Sequence, residues 1–361
     1  MYHAVKGQVL IIRIPVVGSP SMNAEVHLHK KPPSEAEHDL NQFRKGRDLT
    51  FFDLVSIDQV TQKDLALLYD VARRFRDYKT YKFSFNKGYS QVNAFFEPST
   101  RTSSSFDLAA KQLSMDTAGV AGNSSISKGE SYLDTVETID AYNVRVIVIR
   151  SKESGVPAMA AKHTQASIVN AGDGWHEHPT QALLDGLTML DHFGTPDLKG
   201  KTVVVVGDIM HSRVFGSLVR LLRKFKAEIR IAAPLTMIPK DVEKFGATWY
   251  GNIEEALKGA DVVYALRVQS ERGANGFIPS LREYSKMFGI SRKRLDLANE
   301  NAILMHPGPV IRDIDVHSAL AAADEQSHIL RQVENGMAVR KALLWLLADR
   351  LDGKVKKYTR K

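Results

Sequence analysis

Apolar and polar positions along this chain follow two different periods, and they alternate. Val92 to Phe96 is a short apolar run, and Thr100 to Leu113 follows with Phe106, Ala109 and Leu113 on one helical face. Val144 to Ile149 is a β-branched run of the kind that a parallel strand buried on both faces requires. A further helix is expected from near Pro179, with Leu183, Leu187 and Leu190 on one face and Gly194 as its stop. A second series opens after Gly200. Thr202 to Val206 is almost all valine, Gly207-Asp208 ends it, and a helix is expected around Val214 to Phe225. Ile229 to Ala232, Asp261 to Ala265 and Ala302 to Met305 read as more strands. The last long helix is expected from about Gln326 to Leu351, with Ile329, Val333, Met337, Leu344, Leu347 and Leu351 as its apolar stripe; Gly336 inside it weakens the pattern.

Strands that alternate with helices build parallel sheets, whose ligands bind outside the carboxyl ends of the strands. The chain has 361 residues, more than one core usually organises. The expected fold is therefore α/β: two domains, each a mostly parallel sheet flanked by helices, with the active site in the cleft between them. The expected limits are 1–45 for an N-terminal extension of unknown structure, 46–185 and 186–325 for the domains, and 326–361 for a C-terminal helix packing back on the first. The extension holds a polar stretch with His27, His29, Lys30, Lys31, Pro32 and Pro33, and its histidines read as surface residues.

Composition narrows the chemistry. Hydrophobic residues at 43% and charged ones at 25% are those of a globular protein, not a disordered one. The absence of cysteine excludes disulfides, thiolate metal sites and a cysteine nucleophile, and it suits a reducing compartment. A formal charge of +8 without a long basic block is compatible with small anions drawn into a cleft, with nucleic acid, or simply with a solvated basic surface. The run from Val9 to Val17, broken by Arg13, is far short of the ~20 residues of a membrane span. It also lacks the marks of a secretory signal, so a cytoplasmic protein with no membrane partner is expected.

The segment Phe95-Phe96-Glu97-Pro98-Ser99-Thr100-Arg101-Thr102 is the most informative. A strand ends, Pro98 breaks it, and Ser99 stands where it can cap the helix that begins at Thr100. Free N–H groups and the positive dipole end of a helix make an anion site, and three hydroxyls with one guanidinium suit phosphate oxygens. The same residues also suit a well-capped helix with an incidental arginine. Other phosphate motifs fail: Gly194 and Gly200 are spaced one residue too widely for a P-loop, and Gly207 has no further glycines at dinucleotide-binding spacing.

Ser99-Thr100-Arg101-Thr102 resembles the carbamoyl-phosphate signature of the aspartate and ornithine carbamoyltransferases. Three more segments agree with that family in order and spacing: His178-Pro179-Thr180-Gln181-Ala182-Leu183-Leu184-Asp185, Leu266-Arg267-Val268-Gln269, and Met305-His306-Pro307-Gly308-Pro309. The resemblance runs from about residue 48 to 350. It implies a carbamoyl-phosphate-binding first domain and an amino-acid-binding second one, with no cofactor and no metal. Ser99, Thr100, Arg101, Thr102 and Arg150 would hold the phosphate. His178, Gln181 and the backbone at Gly308-Pro309 would meet the carbamoyl group, and Arg101, Thr102, Arg150 and His178 would be the catalytic set. His178, a histidine before proline at a helix start, also suits a cap or a packed ring.

The resemblance further implies that Arg213, Arg267 and Gln269 take the amino acid. Two arginine forks suit the two carboxylates of L-aspartate. Ornithine enzymes usually carry Cys where Thr180 stands and His-Cys-Leu-Pro where this chain has His306-Pro307-Gly308-Pro309, so aspartate is preferred. The implied reaction is carbamoyl transfer from carbamoyl phosphate to aspartate, a step of de novo pyrimidine synthesis. An acylated ornithine as acceptor and a non-catalytic scaffold are the rival readings. Asn123 to Glu130 resembles the family's mobile loop, which would bring Lys128, with Ser124, into a neighbouring subunit's site and imply a homotrimer. Glu97, Arg213, Glu271 and Arg272 match positions that pair across the cleft on closure. Ser127 stands where some relatives have a second lysine, and Gly308-Pro309-Val310 departs from the Leu-Pro-Arg of others. Regulatory or dihydroorotase subunits stay open as partners, and only the basic pI speaks for nucleic acid.

Overall fold

The computed structural model describes residues 33–78, 81–121, 129–268, 280–321 and 324–350. The extension before Pro33 with His27 and His29, the loop positions Ser124, Ser127 and Lys128, the residues Gln269, Glu271 and Arg272, and Leu351 lie outside the described residues.

Within 33–45 the chain forms helix α1 (Pro33–Arg44), which buries Ala36 and Leu40. Helix α2 (Gln62–Asp77) starts with a capping box: the Thr61 hydroxyl accepts from the Asp64 N–H, and the Asp64 carboxylate accepts the Thr61 N–H at 2.9 Å. Then come β1 (Ser90–Phe95), α3 (Thr100–Gln112), β2 (Asp116–Ala121), α4 (Tyr132–Asp140), β3 (Val146–Ser151), α5 (Val156–His163), β4 (Ser167–Asp173) and α6 (Pro179–Phe193). The four strands are parallel in the order β2-β1-β3-β4.

The second series is β5 (Thr202–Val206), α7 (Arg213–Lys224), β6 (Glu228–Ala232), β7 (Ala247–Tyr250), α8 (Ile253–Leu257), β8 (Val262–Ala265), α9 (Leu281–Phe288), α10 (Arg292–Leu295), β9 (Ile303–Met305) and α11 (Ile329–Arg350). Its strands are again parallel, ordered β7-β6-β5-β8-β9. The valines of β5 are all buried, as a central strand covered on both faces demands. In each sheet the chain first adds strands on one side and then crosses to the other. The crossing lies between β1 and β3 in the first sheet and between β5 and β8 in the second. Such switch points open a crevice at the carboxyl ends of the strands.

Helix α6 has Pro179 at its first turn and Gly194 at φ 63° as its C-cap, and it is buried without interruption from Pro179 to Leu190. It packs against α7 on one side and α11 on the other, so it forms the spine between the two sheets. Helix α11 packs on α2, α3 and α6. The expectation of a single apolar stripe along α11 is corrected. Val333 is exposed and Met337 only partly buried, whereas Ala338 to Ala348 is buried all round, because α11 runs between helices rather than over a surface. A Cβ on Gly336 would stand 3.1 Å from Leu184 Cδ2, so this glycine lets α11 lie close on α6. Arg44 closes α1 onto the same helix: its guanidinium binds Asp349 and sits 5.0 Å over the Trp345 ring. No helix among the described residues is long and apolar enough to cross a membrane.

Candidate active site

The first switch point is built by the ends of β1 and β3. The Phe96 N–H donates to the Arg150 carbonyl at 2.8 Å, which holds the two strand ends together just before Glu97 and Pro98. Ser99 takes the N-cap position of α3, but its hydroxyl makes no capping bond, contrary to the capping role expected for it. Its φ of −160° and ψ of 87° leave the helix to start on the Ser99 carbonyl, which accepts the Ser103 N–H at 3.1 Å. The first-turn N–H groups of α3 have no partners within the helix by its geometry. Ser99 and Thr102 are half-buried there, and Thr100 and Arg101 are exposed. The Arg150 guanidinium, at the end of β3, donates to the Ala171 carbonyl at 3.3 Å and is therefore anchored to β4.

The second switch point faces the first. Ser212 caps α7 through the Phe215 N–H and so sets Arg213 at the helix start. Arg213 is buried, and it reaches across into the first domain. Its Nη2 donates to Glu97 Oε2 at 2.6 Å, its Nη1 to the Ser151 carbonyl at 3.4 Å, and its side chain covers Gly172, where a Cβ would stand 3.0 Å from Arg213 Cδ. Glu97 Oε2 also lies 3.4 Å from Arg150 Nε, so one carboxylate bridges a guanidinium of each domain.

A second crossing joins Arg101 to the turn after β9. Gly308 has φ 69°, and a Cβ there would stand 2.4 Å from Arg101 Nη1. Although the Arg101 residue as a whole is exposed, partial burial of its guanidinium, and after it the cation of Arg267 just beyond β8, lower its basicity. Two cations drawn together at facing helix and strand ends favour an anion between them.

The fold supports these lips with buried polar groups, of which the sequence reading assigned His178 and Gln181 but not Ser217, Glu177, Asp185, His306 or Asp315. His178 is the N-cap residue of α6 and buried, and its N–H donates to Ser217 Oγ on α7 at 2.9 Å. Ser217 in turn donates at 2.8 Å to Glu177, a fully buried carboxylate that also accepts the Ile57 N–H at 3.0 Å. Gln181 Nε2 donates to Asp185 Oδ1 at 3.0 Å. His306 is held on both sides: its Nδ1 accepts the Gly308 N–H at 2.8 Å, and its Nε2 lies 3.3 Å from Asp315 Oδ2. Asp315 also accepts the N–H groups of Ile311 and Val268, so it ties the Arg267 segment to the Gly308 turn. The legible signal for Asp185 is a carboxylate within the largely apolar run from Ala182 to Leu190; Glu177 and Asp315 carry no such local mark. His176, which neighbours Glu177, pairs with Asp173 at 3.1 Å.

Of the expected site residues, Ser99 to Thr102 follow β1 and Arg150 lies at the end of β3, Arg213 follows β5 and Arg267 follows β8, while His178 and Gln181 follow the neighbouring strand β4 and Gly308-Pro309 follows β9. A separate surface cavity of about 540 Å³, lined by Glu254, Lys258, Ser285, Lys286, Lys293 and His317 among others, shares none of them.

Comparison with known proteins agrees with this geometry. Residues 53–191 match the family model of the aspartate/ornithine carbamoyltransferase carbamoyl-P binding domain, and residues 199–347 match that of the Asp/Orn binding domain. The aspartate carbamoyltransferase catalytic subunit of Desulforamulus reducens is 47% identical over 299 residues, covering 82% of this chain and 95% of that relative. The Sorangium cellulosum catalytic subunit is 48% identical, with 82% and 92% covered. Among solved structures, aspartate transcarbamoylase from Trypanosoma cruzi in complex with carbamoyl phosphate and aspartate superposes with a TM-score of 0.72 at 30% identity, over 82% of this chain and 95% of that one. With two facing switch points, cross-cleft arginines and both domain models matched in succession along the chain, the chain belongs to the aspartate/ornithine carbamoyltransferase family.

Proposed function

We propose that this chain transfers the carbamoyl group of carbamoyl phosphate to the amine of L-aspartate, giving N-carbamoyl-L-aspartate and phosphate. The carrying observation is the meeting of Arg101, Arg267 and the Gly308 turn at the mouth of the α3 helix start. The helix N-terminus, the Ser99, Thr100 and Thr102 hydroxyls and the guanidiniums of Arg101 and Arg150 suit a phosphate. Arg213, Arg267 and, from outside the described residues, Gln269 and Lys128 suit an acceptor with two carboxylates. Arg213 serves both in this reading, since a guanidinium carries several donors beyond those used on Glu97 and Ser151.

The chemistry needs no covalent intermediate. As the aspartate amine attacks the carbamoyl carbon, negative charge grows on the carbonyl oxygen, and Thr102, Arg101 and His178 donate to it. Removing one such donor costs roughly 100- to 1,000-fold in rate. The C–O bond to phosphate then breaks, and the departing phosphate takes the amine's proton. Gln181 and the backbone at Gly308-Pro309 accept from the carbamoyl amide. The Asn123 to Glu130 loop would complete the site of a neighbouring subunit in a homotrimer, acting in a cytoplasmic route to pyrimidines.

The test is carbamoyl transfer by the purified chain with aspartate or ornithine as acceptor. Product with aspartate alone supports the proposal; product with ornithine alone, or with neither while inorganic phosphate still binds, overturns it.

A further inference from the structure

A glutamine amide ends in an acceptor and a donor of nearly equal shape, so a binding site that relies on one must fix which end faces the ligand. Gln181 is such a residue, and what orients it lies one turn further along α6. Asp185 is fully buried. Its Oδ1 accepts from Gln181 Nε2 at 3.0 Å and from Gln332 Nε2 at 2.7 Å, and its Oδ2 accepts from the Tyr264 hydroxyl at 2.7 Å. Oδ1 acts as acceptor in both amide contacts, so each glutamine must turn its nitrogen inward.

The consequence reaches both sides of the cleft. With Nε2 spent on Asp185, the other end of the Gln332 amide, Oε1, accepts the His306 N–H at 2.9 Å. His306 then accepts the Gly308 N–H through Nδ1 at 2.8 Å. One buried carboxyl therefore orders two amides, Gln181 on α6 and Gln332 on α11, and through the second it holds the turn at Gly308-Pro309.

We propose that Asp185 is a positioning residue that sets the preference for a carbamoyl over another acyl group: by taking the Gln181 amide N–H it turns Gln181 Oε1 toward the acyl group, where an NH2 can donate and a methyl cannot. This rests on the carbamoyltransferase reading above. A site arranged to hydrogen-bond a substrate NH rejects an analogue without it, because its own acceptors are then left unpaired. Keeping a charge at this place is costly. Burial pushes the Asp185 carboxyl up to about 7, against the opposing pull of the Gln332, Tyr264 and Gln181 donors and the Arg340 cation. A buried charge is weak support for a fold compared with apolar packing of similar volume, so its presence beside the site speaks for ordering rather than stability.

The experiment measures binding of carbamoyl phosphate, acetyl phosphate and inorganic phosphate to the full chain and to Asp185→Asn. Asparagine has nearly the same shape but presents a donor as well, so it no longer dictates the Gln181 amide. The ratio of carbamoyl to acetyl phosphate affinity is expected to fall about tenfold, roughly the worth of one oriented hydrogen bond. Inorganic phosphate, which reaches only the cradle, keeps its affinity. Tyr264→Phe removes one donor to Asp185 and a polar neighbour of the Gln181 and Gln332 amides but leaves the carboxyl that takes their N–H groups, so it should compress the ratio clearly less than Asp185→Asn. Should Asp185→Asn not fold, Gln181→Met ends the amide's role directly and must compress the ratio likewise. An unchanged ratio in the variant, an equal compression in Tyr264→Phe, or a parallel loss of all three ligands each overturns the proposal. A native chain without any preference for carbamoyl phosphate removes the activity reading together with it, whereas a native preference that survives Asp185→Asn removes this inference alone.

Discussion

Replacing Glu97 by alanine takes away the carboxylate that joins the two domains at the cleft. Glu97 Oε2 accepts from Arg213 Nη2 at 2.6 Å and faces Arg150 Nε at 3.4 Å. Arg213 and Arg150 have side chains only 4% and 13% exposed, so water screens these contacts weakly. Hydrogen bonds to charged groups are worth about 1.5–3 kcal/mol, and the 14% exposure of Glu97 argues for the lower half of that range. At 1.4 kcal/mol per factor of ten, the variant should need roughly 10- to 40-fold more aspartate for half-saturation. The loss falls on aspartate because Arg213 starts α7 in the second domain while its guanidinium rests on the first. Phosphate should respond differently: Arg150 loses a negative neighbour, so phosphate affinity is retained or rises. The assay pairs aspartate saturation at fixed carbamoyl phosphate with calorimetric titration of inorganic phosphate. An unchanged aspartate requirement, or phosphate affinity falling in step with it, refutes the argument.

Gly308→Ala places a Cβ 2.4 Å from Arg101 Nη1 on a backbone at φ 69°, so the guanidinium must move; turnover should fall about 100-fold, the left-handed backbone should lower the melting temperature by about a few degrees, and unaltered turnover would show that Arg101 has another working position. Arg101→Lys keeps the charge but loses the planar fork, and it should weaken phosphate binding about tenfold in calorimetry; native affinity would mean that charge alone suffices. The Asp173 hydrogen bond raises the basicity of His176 above its usual 6.5, while desolvation notwithstanding, the His176 and backbone hydrogen bonds hold Asp173 below its usual 3.8. The histidine's contribution to stability is therefore complete below pH 6.5 and is lost as pH rises through its raised value; the aspartate's is present above pH 3.8 and is lost as pH falls through its lowered value. The melting-temperature deficit of His176→Ala should be greatest between these limits and shrink at alkaline pH, and a deficit that grows with pH contradicts the assignment.

Much of this protein was determined locally, and the sequence by itself was enough for it. The valine run of β5, the Pro179 start and Gly194 stop of α6, and the two strand–helix series are short-range patterns, and each stands where its residues indicate. The family was legible for a similar reason: four short segments keep their order and spacing, and both domain models match the chain. Where local pattern is weak, the reading stopped. Strand β4 carries Ser167, Asn170 and Asp173 yet is wholly buried, because Asn170 donates to the Val55 carbonyl and Asp173 accepts from Gly155, partners that no periodicity announces. Helix α1 lies in the extension whose structure the sequence left open, and it gains its hold from Asp349 and Trp345 at the far end of the described chain.

Only the tertiary structure decided which charges meet. The family resemblance named Glu97 and Arg213 among residues that pair across the cleft, but no local pattern does: they are distant in sequence, and they become partners because both switch points open on one cleft. Asp185 reads as an oddity within a largely apolar run until Tyr264 from β8 and Gln332 from α11 close on it. Periodicity reports which face of an element avoids water, since that depends on neighbours a few residues away. The cost of a buried charge depends on donors that other elements bring, and that is settled only when the whole chain has packed.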